Sequence, residues 1–154
     1  YGDYQCPYCG AAYPVLKELL KEFGDQIRFV FRNFPLSEMH QYARTAAPAA
    51  EAAALQGKFW EMHDMLFTNQ TGENVGAFDD RHLEAFADEL GLDRGQYDDC
   101  RSSGKYSDKA EQDAKDATAA GIQATPSFII TYDVNGETMR DLTLFAMDYL
   151  KESF

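Results

Sequence analysis

Asp3-Tyr4-Gln5-Cys6-Pro7-Tyr8-Cys9 stands at the head of the chain, and its reading decides the fold. Two cysteines three residues apart fall where a helix begins. Pro7 marks the start, because the first helical position needs no N–H and proline has none. Tyr13, Leu16, Leu20 and Phe23 then recur at helical spacing, and Gly24 is placed to cap the run. Pro14 lies inside this helix and predicts a kink. Cys6 thus takes the N-cap position, with its sulfur facing the unpaired N–H groups of the first turn. Those groups and the helix macrodipole favour a negative sulfur. The thiolate is the nucleophile of disulfide exchange, whereas a free cysteine with a pKa of about 8.5 is mostly protonated at neutral pH. Cys9 lies deeper in the first turn, at a spacing that lets it close a disulfide with Cys6. The expected division of labour follows: Cys6, exposed, exchanges with a partner, and Cys9, covered, resolves the mixed disulfide.

Two other readings of the pair are available. Zinc uses C-x-x-C as half of a site, but needs two further ligands at compatible spacing. Cys100 is alone, and His40, His63 and His82 fall on separate helices without an H-x(3–5)-H pair, so no metal is expected. An inert structural pair is the second. The chain holds three cysteines, an odd number that no fully paired disulfide framework accommodates. Cys100 follows Tyr97 at helical spacing and reads as a buried structural thiol, with a third redox role as the alternative. His40 and His63 read as structural, or as modulators of the site through their charge. Asp3 either shapes the turn before Cys6 or opposes its ionisation.

The 154 residues suit one domain, and with 45% hydrophobic and 14% aromatic residues they can bury a core. The net charge is −12, with the acidic residues dispersed as a solubilising surface. Phosphate backbones demand clustered Lys and Arg, so nucleic acid is excluded as a partner. No apolar run approaches the ~20 residues that span a bilayer. The chain does not open on Met, so a segment upstream of Tyr1 is expected.

Beyond the first helix, Ile27 to Phe34 reads as a strand closed by Pro35. A helical stretch runs from about Glu38 to Lys105. In it Ala46, Ala49, Ala50 and Ala53 give a small-residue face, and Phe59, Met62, His63 and Leu66 give an apolar one. Arg81 to Leu90 is a helix with Leu83, Phe86, Ala87 and Leu90 on its buried stripe and Gly91 after it. Asp93 and Gln96 form a capping box, flanked by the staple residues Leu92 and Tyr97. Ser107 to Ala120 is a further helix, with Ala110, Ala114 and Ala117 aligned and Gly121 as its stop. Ser127 to Val134 and Glu137 to Leu142 form a hairpin about Asn135-Gly136, a type I′ signal. Thr143 to Phe154 reads as a last amphipathic helix, with Leu144, Met147 and Leu150 in line.

The segment Asp3 to Cys9 resembles the active-site segment of the DsbA-like branch of the thioredoxin superfamily. Pro14, five residues after Cys9, matches the helix proline of thioredoxins, and Gly121-Ile122-Gln123-Ala124-Thr125-Pro126-Ser127-Phe128 is similar to the family's cis-proline segment. Ala124 departs mildly from that pattern, where Gly is usual. His40 through Phe59-Trp60-Glu61-Met62-His63 resembles the helical insert of the branch. The Pro7-Tyr8 dipeptide is also that of glutaredoxins, but the insert argues against a glutaredoxin proper.

The resemblance implies an α/β, thioredoxin-like fold with an all-helical insert between its βαβ and ββα halves. Residues 1–36 and 106–154 form the core and 37–105 the insert, with the first core strand upstream of Tyr1. It implies Cys6 and Cys9 as catalytic residues, Pro7 and Tyr8 as the dipeptide between them, and Thr125 and Pro126 as substrate-binding residues. The motif alone leaves the Thr125–Pro126 bond open between cis and trans; the resemblance implies cis. The implied activity is disulfide exchange with thiol- or disulfide-containing protein substrates, without a cofactor and with a redox partner that recycles the pair. The expected direction is oxidation, and the expected location is outside the cytoplasm. A reductase or isomerase, or a redox-sensing module fused to a larger membrane protein such as a transporter, are the alternatives.

Overall fold

Seventeen residues, Pro7–Phe23, form α1 in the computed structural model, which describes residues 1–144. Pro7 occupies the predicted first turn, Cys6 is the N-cap in extended backbone, and Pro14 lies inside the helix. Gly24 ends it without the expected left-handed cap. Its φ is −55°, and the N–H groups of Gln26 and Ile27 turn back onto the Phe23 carbonyl instead.

The predicted strand from Ile27 to Phe34 is not one. It is extended chain with a single parallel bridge, Asn33 to Gly2. Gly2 N–H donates to the Arg32 carbonyl at 3.0 Å, and Phe34 N–H donates to the Gly2 carbonyl at 2.8 Å. β-Branched and aromatic residues suit a pleated surface, but a strand exists only where a neighbour completes the ladder. Among the described residues only Gly2 does so here, and Ile27 and Val30 are exposed. On its other side the same short segment meets Ser127. The Tyr1 amino group donates to the Ser127 carbonyl at 2.8 Å, and Ser127 N–H returns to the Tyr1 carbonyl at 3.0 Å. Tyr1 and Gly2 thus lie between the 32–34 stretch and Ser127.

The helical stretch divides into α2 (Ala43–Ala54), α3 (Phe59–Thr68), α4 (Asp80–Glu89), α5 (Arg94–Ser102) and α6 (Lys105–Ala119). α2 is the hub, packed against all four of the others. Its alanines were expected on one face, but burial extends round the helix, with Ala43, Ala46, Ala47, Ala49, Ala50, Ala52 and Ala53 all covered. A methyl side chain on every side lets several helices approach at once. Around α3 the rings of Tyr4, Phe31, Phe59 and Phe67 pack with His63, forming the aromatic part of the core.

Capping follows local chemistry. Asp79 accepts from His82 N–H at 2.9 Å, and Asp93 from Gln96 N–H at 2.8 Å. The reciprocal half of the expected box is supplied from elsewhere: Asp93 N–H donates to the side chain of Gln56, not Gln96.

A buried polar network ties insert to core. Arg32 donates to Asp113 at 2.8 Å, the Asn33 amide to Glu51 at 3.1 Å, and Lys109 to Glu51 at 2.6 Å and Asp113 at 3.4 Å. Glu51 and Asp113 are almost wholly covered, and buried carboxylates persist only when paired in this way.

The hairpin is β1 (Ser127–Val134) with β2 (Glu137–Leu144), antiparallel, and Asn135 and Gly136 both take the positive φ of a type I′ turn. Thr143 and Leu144, expected in the last helix, belong to β2 instead. Their pairing with Phe128 and Ser127 outweighs the helical spacing that Leu144 shares with Met147 and Leu150. The remainder of that expected helix lies outside the described residues.

Candidate active site

Three pieces of chain converge at the start of α1: the Asp3–Gln5 segment, Cys6 with Cys9, and the Thr125–Pro126 turn. The Thr125–Pro126 bond is cis, as expected. Cys6, Cys9 and Cys100 are free thiols. The Cys6 thiol donates to the Thr125 carbonyl at 3.5 Å, and the Asp3 N–H donates to the Cys9 sulfur at 3.4 Å. The two sequence motifs are therefore in contact although nearly the whole chain separates them.

The cysteines are unlike in acidity. Cys6 is lowered to about 6. The Cys9 thiol, donating to its sulfur, is the largest cause; burial opposes it, and Thr125 and the backbone N–H groups of Cys9 and Tyr8 add to it. The first-turn N–H groups act in the expected sense but come last in weight. The Thr125 hydroxyl makes no conventional hydrogen bond among the described residues, and it favours the charged form of both sulfurs. Cys9 is pushed well up, by burial first and then by the hydrogen bond and charge of Cys6. Exposure does not separate them, contrary to expectation. Each is 4% exposed, because the Thr125 turn covers Cys6 as the Asp3 segment covers Cys9. Pro7 and Tyr8 between them are exposed. Cys100 lies buried in the helical insert, in the same core cluster as Tyr97, and burial raises it.

Asp3 does more than shape a turn. Its Oδ1 accepts from Gln5 N–H at 2.8 Å, and its Oδ2 accepts from Leu36 N–H at 2.9 Å. The same Oδ2 meets His40 Nδ1 at 2.6 Å, and the Nε2 of that ring lies 3.5 Å from Glu73. Burial pulls His40 down, but the Asp3 hydrogen bond and charge, with Cys6 and Glu73, raise it on balance. His63 is different. It is enclosed by aromatic rings, and burial lowers it against the pull of Asp64.

Gln70, which sequence reasoning missed, reaches from the end of α3 to the carbonyls of Tyr4 and Cys6, donating at 2.7 and 3.0 Å. Gly10 makes room for it, since a Cβ there would lie 2.0 Å from Gln70 Oε1. The glycine directly after Cys9 was the available signal, but nothing local names its partner.

Comparison with known proteins joins this geometry to a family. The family model described as thioredoxin matches residues 1–144. The chain belongs to the thioredoxin family. Two solved structures share this thioredoxin fold at 25% identity. They are DsbA2 of Pseudomonas aeruginosa (TM-score 0.70, covering 91% of this chain and 76% of that one) and a thioredoxin-like oxidoreductase of Silicibacter pomeroyi (TM-score 0.71, 98% and 79%). The thiol-disulfide exchange protein alpha-DsbA2 of Wolbachia pipientis shares the fold at 19% identity and TM-score 0.71, over 98% of this chain and 75% of that one. Two of these three structural neighbours carry the name DsbA2 or alpha-DsbA2, and the third is titled a thioredoxin-like oxidoreductase.

Curated relatives point to a second context. Na(+)/H(+) antiporter NhaA 1 of Salinispora arenicola is 39% identical over 130 residues, covering 84% of this chain and 19% of that protein. NhaA 1 of Mycolicibacterium gilvum is 41% identical over 142 residues, covering 91% and 22%. The thioredoxin-family chain thus spans about a fifth of the length of these relatives. Among the described residues, no helix is long and apolar enough to cross a membrane.

Proposed function

We propose that this domain exchanges disulfides with protein substrates through Cys6 and Cys9, running as an oxidant. The observation that carries the reading is the split acidity of the pair, Cys6 down to about 6 and Cys9 well up. In the oxidised protein a substrate thiolate attacks Cys6, the Cys6–Cys9 bond breaks, and Cys9 leaves and takes up a proton. A second substrate thiolate attacks the first substrate sulfur, and Cys6 leaves as a thiolate that is stable at neutral pH. The substrate gains a disulfide and the domain holds two reduced sulfurs, so no cofactor enters. Thr125 and Pro126 line the side of Cys6 along which an extended substrate segment lies. A stabilised thiolate rewards the reduced form of the domain, which makes the pair oxidising. The thiols of protein substrates outside the cytoplasm, and a redox partner that reoxidises the pair, complete the cycle.

Equilibration with glutathione buffers, together with oxidation of a reduced, unfolded substrate protein, tests the direction. A pair that oxidises the substrate and lies on the oxidising side of glutathione is expected. A pair that stays oxidised in excess glutathione and leaves the substrate reduced makes it a reductant instead.

The relatives named as antiporters support a second reading, in which the domain is the redox module of a much longer membrane protein. Transport by the full-length protein in liposomes, with Cys6 and Cys9 reduced and then oxidised, distinguishes the two. A rate that changes with redox state and vanishes as a dependence in Cys6→Ser favours the module. The Tyr1–Gly2 segment, paired on both sides, and the 27–31 stretch, which has no ladder partner among the described residues, further support one core in which a strand continuous with Tyr1 fills that edge.

A further inference from the structure

A nearby cation favours a thiolate, and the dipeptide between the cysteines does not supply one, since neither Pro7 nor Tyr8 carries positive charge. The insert brings one from elsewhere. His40, in the turn before α2, is 3% exposed and has a carboxylate at each ring nitrogen: Asp3 at 2.6 Å on Nδ1 and Glu73 at 3.5 Å on Nε2. A ring with an acceptor on both sides is satisfied only when both nitrogens carry protons. Asp3, in turn, is the residue whose backbone N–H meets the Cys9 sulfur, so one residue, through its main chain and its carboxylate, links the C-x-x-C to His40.

Resting on the exchange reading above, we propose that Asp3 and His40 are positioning residues for that reaction, His40 supplying the positive charge that offsets the buried Asp3 carboxylate beside the Cys6 thiolate and Asp3 holding His40 in place. The charged and titratable groups facing His40 are Asp3 from the segment before α1, Glu73 from the loop after α3, and Cys6 at the start of α1. Those facing Cys6 are Cys9 and His40. With the imidazolium present, the buried Asp3–His40 pair is neutral, so Asp3, whose backbone meets both the Cys6 N–H at 3.2 Å and the Cys9 sulfur at 3.4 Å, sets no net charge against the thiolate. When His40 loses its proton, the Asp3 carboxylate is left uncompensated and the thiolate is disfavoured. The released proton goes to solvent through Nε2, on the side of half-exposed Glu73. The raised value of His40, to which Cys6 contributes, agrees in direction.

Linkage gives a test that a purely structural role does not satisfy. If His40 stabilises the thiolate, the thiolate stabilises protonated His40 equally. The His40 ring, followed by NMR against pH, is therefore expected to titrate higher in reduced protein than in the Cys6–Cys9 disulfide form. Cys6, followed by thiolate absorbance, is expected to rise by about one unit in His40→Gln, which leaves Asp3 bare. The double variant Asp3→Asn with His40→Gln holds no buried charge and is expected to return most of that shift. Identical His40 titrations in the two redox states overturn the proposal even if a variant fails to fold. So does a Cys6 value unmoved in His40→Gln, or one not restored in the double variant. Failure of wild-type protein to exchange with glutathione overturns the exchange reading instead, while the two titrations still report on the charge coupling.

Discussion

Replacing Cys9 by alanine removes the largest cause of the low Cys6 value, the thiol that donates to its sulfur. A hydrogen bond to a charged group contributes about 1.5–3 kcal/mol, and about 1.4 kcal/mol corresponds to one unit of pKa. Cys6 is 4% exposed, so solvent screens little of this. Cys9→Ala should therefore raise Cys6 from about 6 to between roughly 7 and 8. At pH 7 the thiolate share falls from roughly nine-tenths to roughly a quarter at the middle of that range. Cys9→Ser keeps a donor at the same place and should stay near the wild-type value. Ultraviolet absorbance of the thiolate, followed against pH, reads both variants. Cys100 is raised by burial, so its step falls above that of Cys6. A Cys9→Ala protein in which Cys6 still titrates near 6 would refute the reasoning. It would show that the helix N–H groups and Thr125 suffice without the neighbouring thiol.

Iodoacetamide at pH 7 should label Cys6 before Cys9 or Cys100, on acidity alone since all three are covered; adduct mapping by mass spectrometry that finds either of the others first contradicts the assignment. Tyr4 buries a hydroxyl with no partner among the described residues, so Tyr4→Phe should leave the urea midpoint unchanged or raise stability by up to about 1 kcal/mol, and a clear loss would reveal a missed partner. Gly10→Ala should displace Gln70 and cost about 1–3 kcal/mol, and the same change in a Gln70→Ala background should cost much less. Burial lowers His63, so the folded protein binds fewer protons there than the unfolded chain, and stability should fall as pH drops below the ordinary imidazole value of 6.5. Urea midpoints at pH 7.5 and 5 should differ less in His63→Phe than in wild type, and equal differences would exclude His63 as the cause.

Features written in a few neighbouring residues were legible before any coordinates. Cys6-Pro7 starts α1, Asp93 caps α5, and Asn135-Gly136 turns the hairpin, because each device acts within about four residues. Ile27 to Phe34 misled because composition reports fitness for a sheet, whereas a strand is made by its neighbour, and only Gly2 is there. The pair Cys6 and Cys9, and the approach of Thr125-Pro126, came from motif order. Gln70 did not, and His40 stood open between a structural and a modulating role: both reach the site from the insert, and single histidines and glutamines carry no local mark of their destination. Exposure of Cys6 was misjudged for the same reason, since the chain that covers it lies at residue 125.

The ion network between the 32–33 stretch, α2 and α6 bears on how this domain can be recombined. Arg32 and Asn33 belong to the core side, Glu51 to the middle of the insert, and Lys109 and Asp113 to the helix that follows it. The insert is consequently not a free cassette. A chimaera that takes residues 37–105 from a homologue inherits the donor's position 51 but keeps the host's 32, 33, 109 and 113. Where the donor lacks an acid at 51, Asn33 and Lys109 lose a shared acceptor inside the protein, and the graft starts with a buried amide that has lost its partner. Swaps whose crossover points carry all five residues together avoid that mismatch.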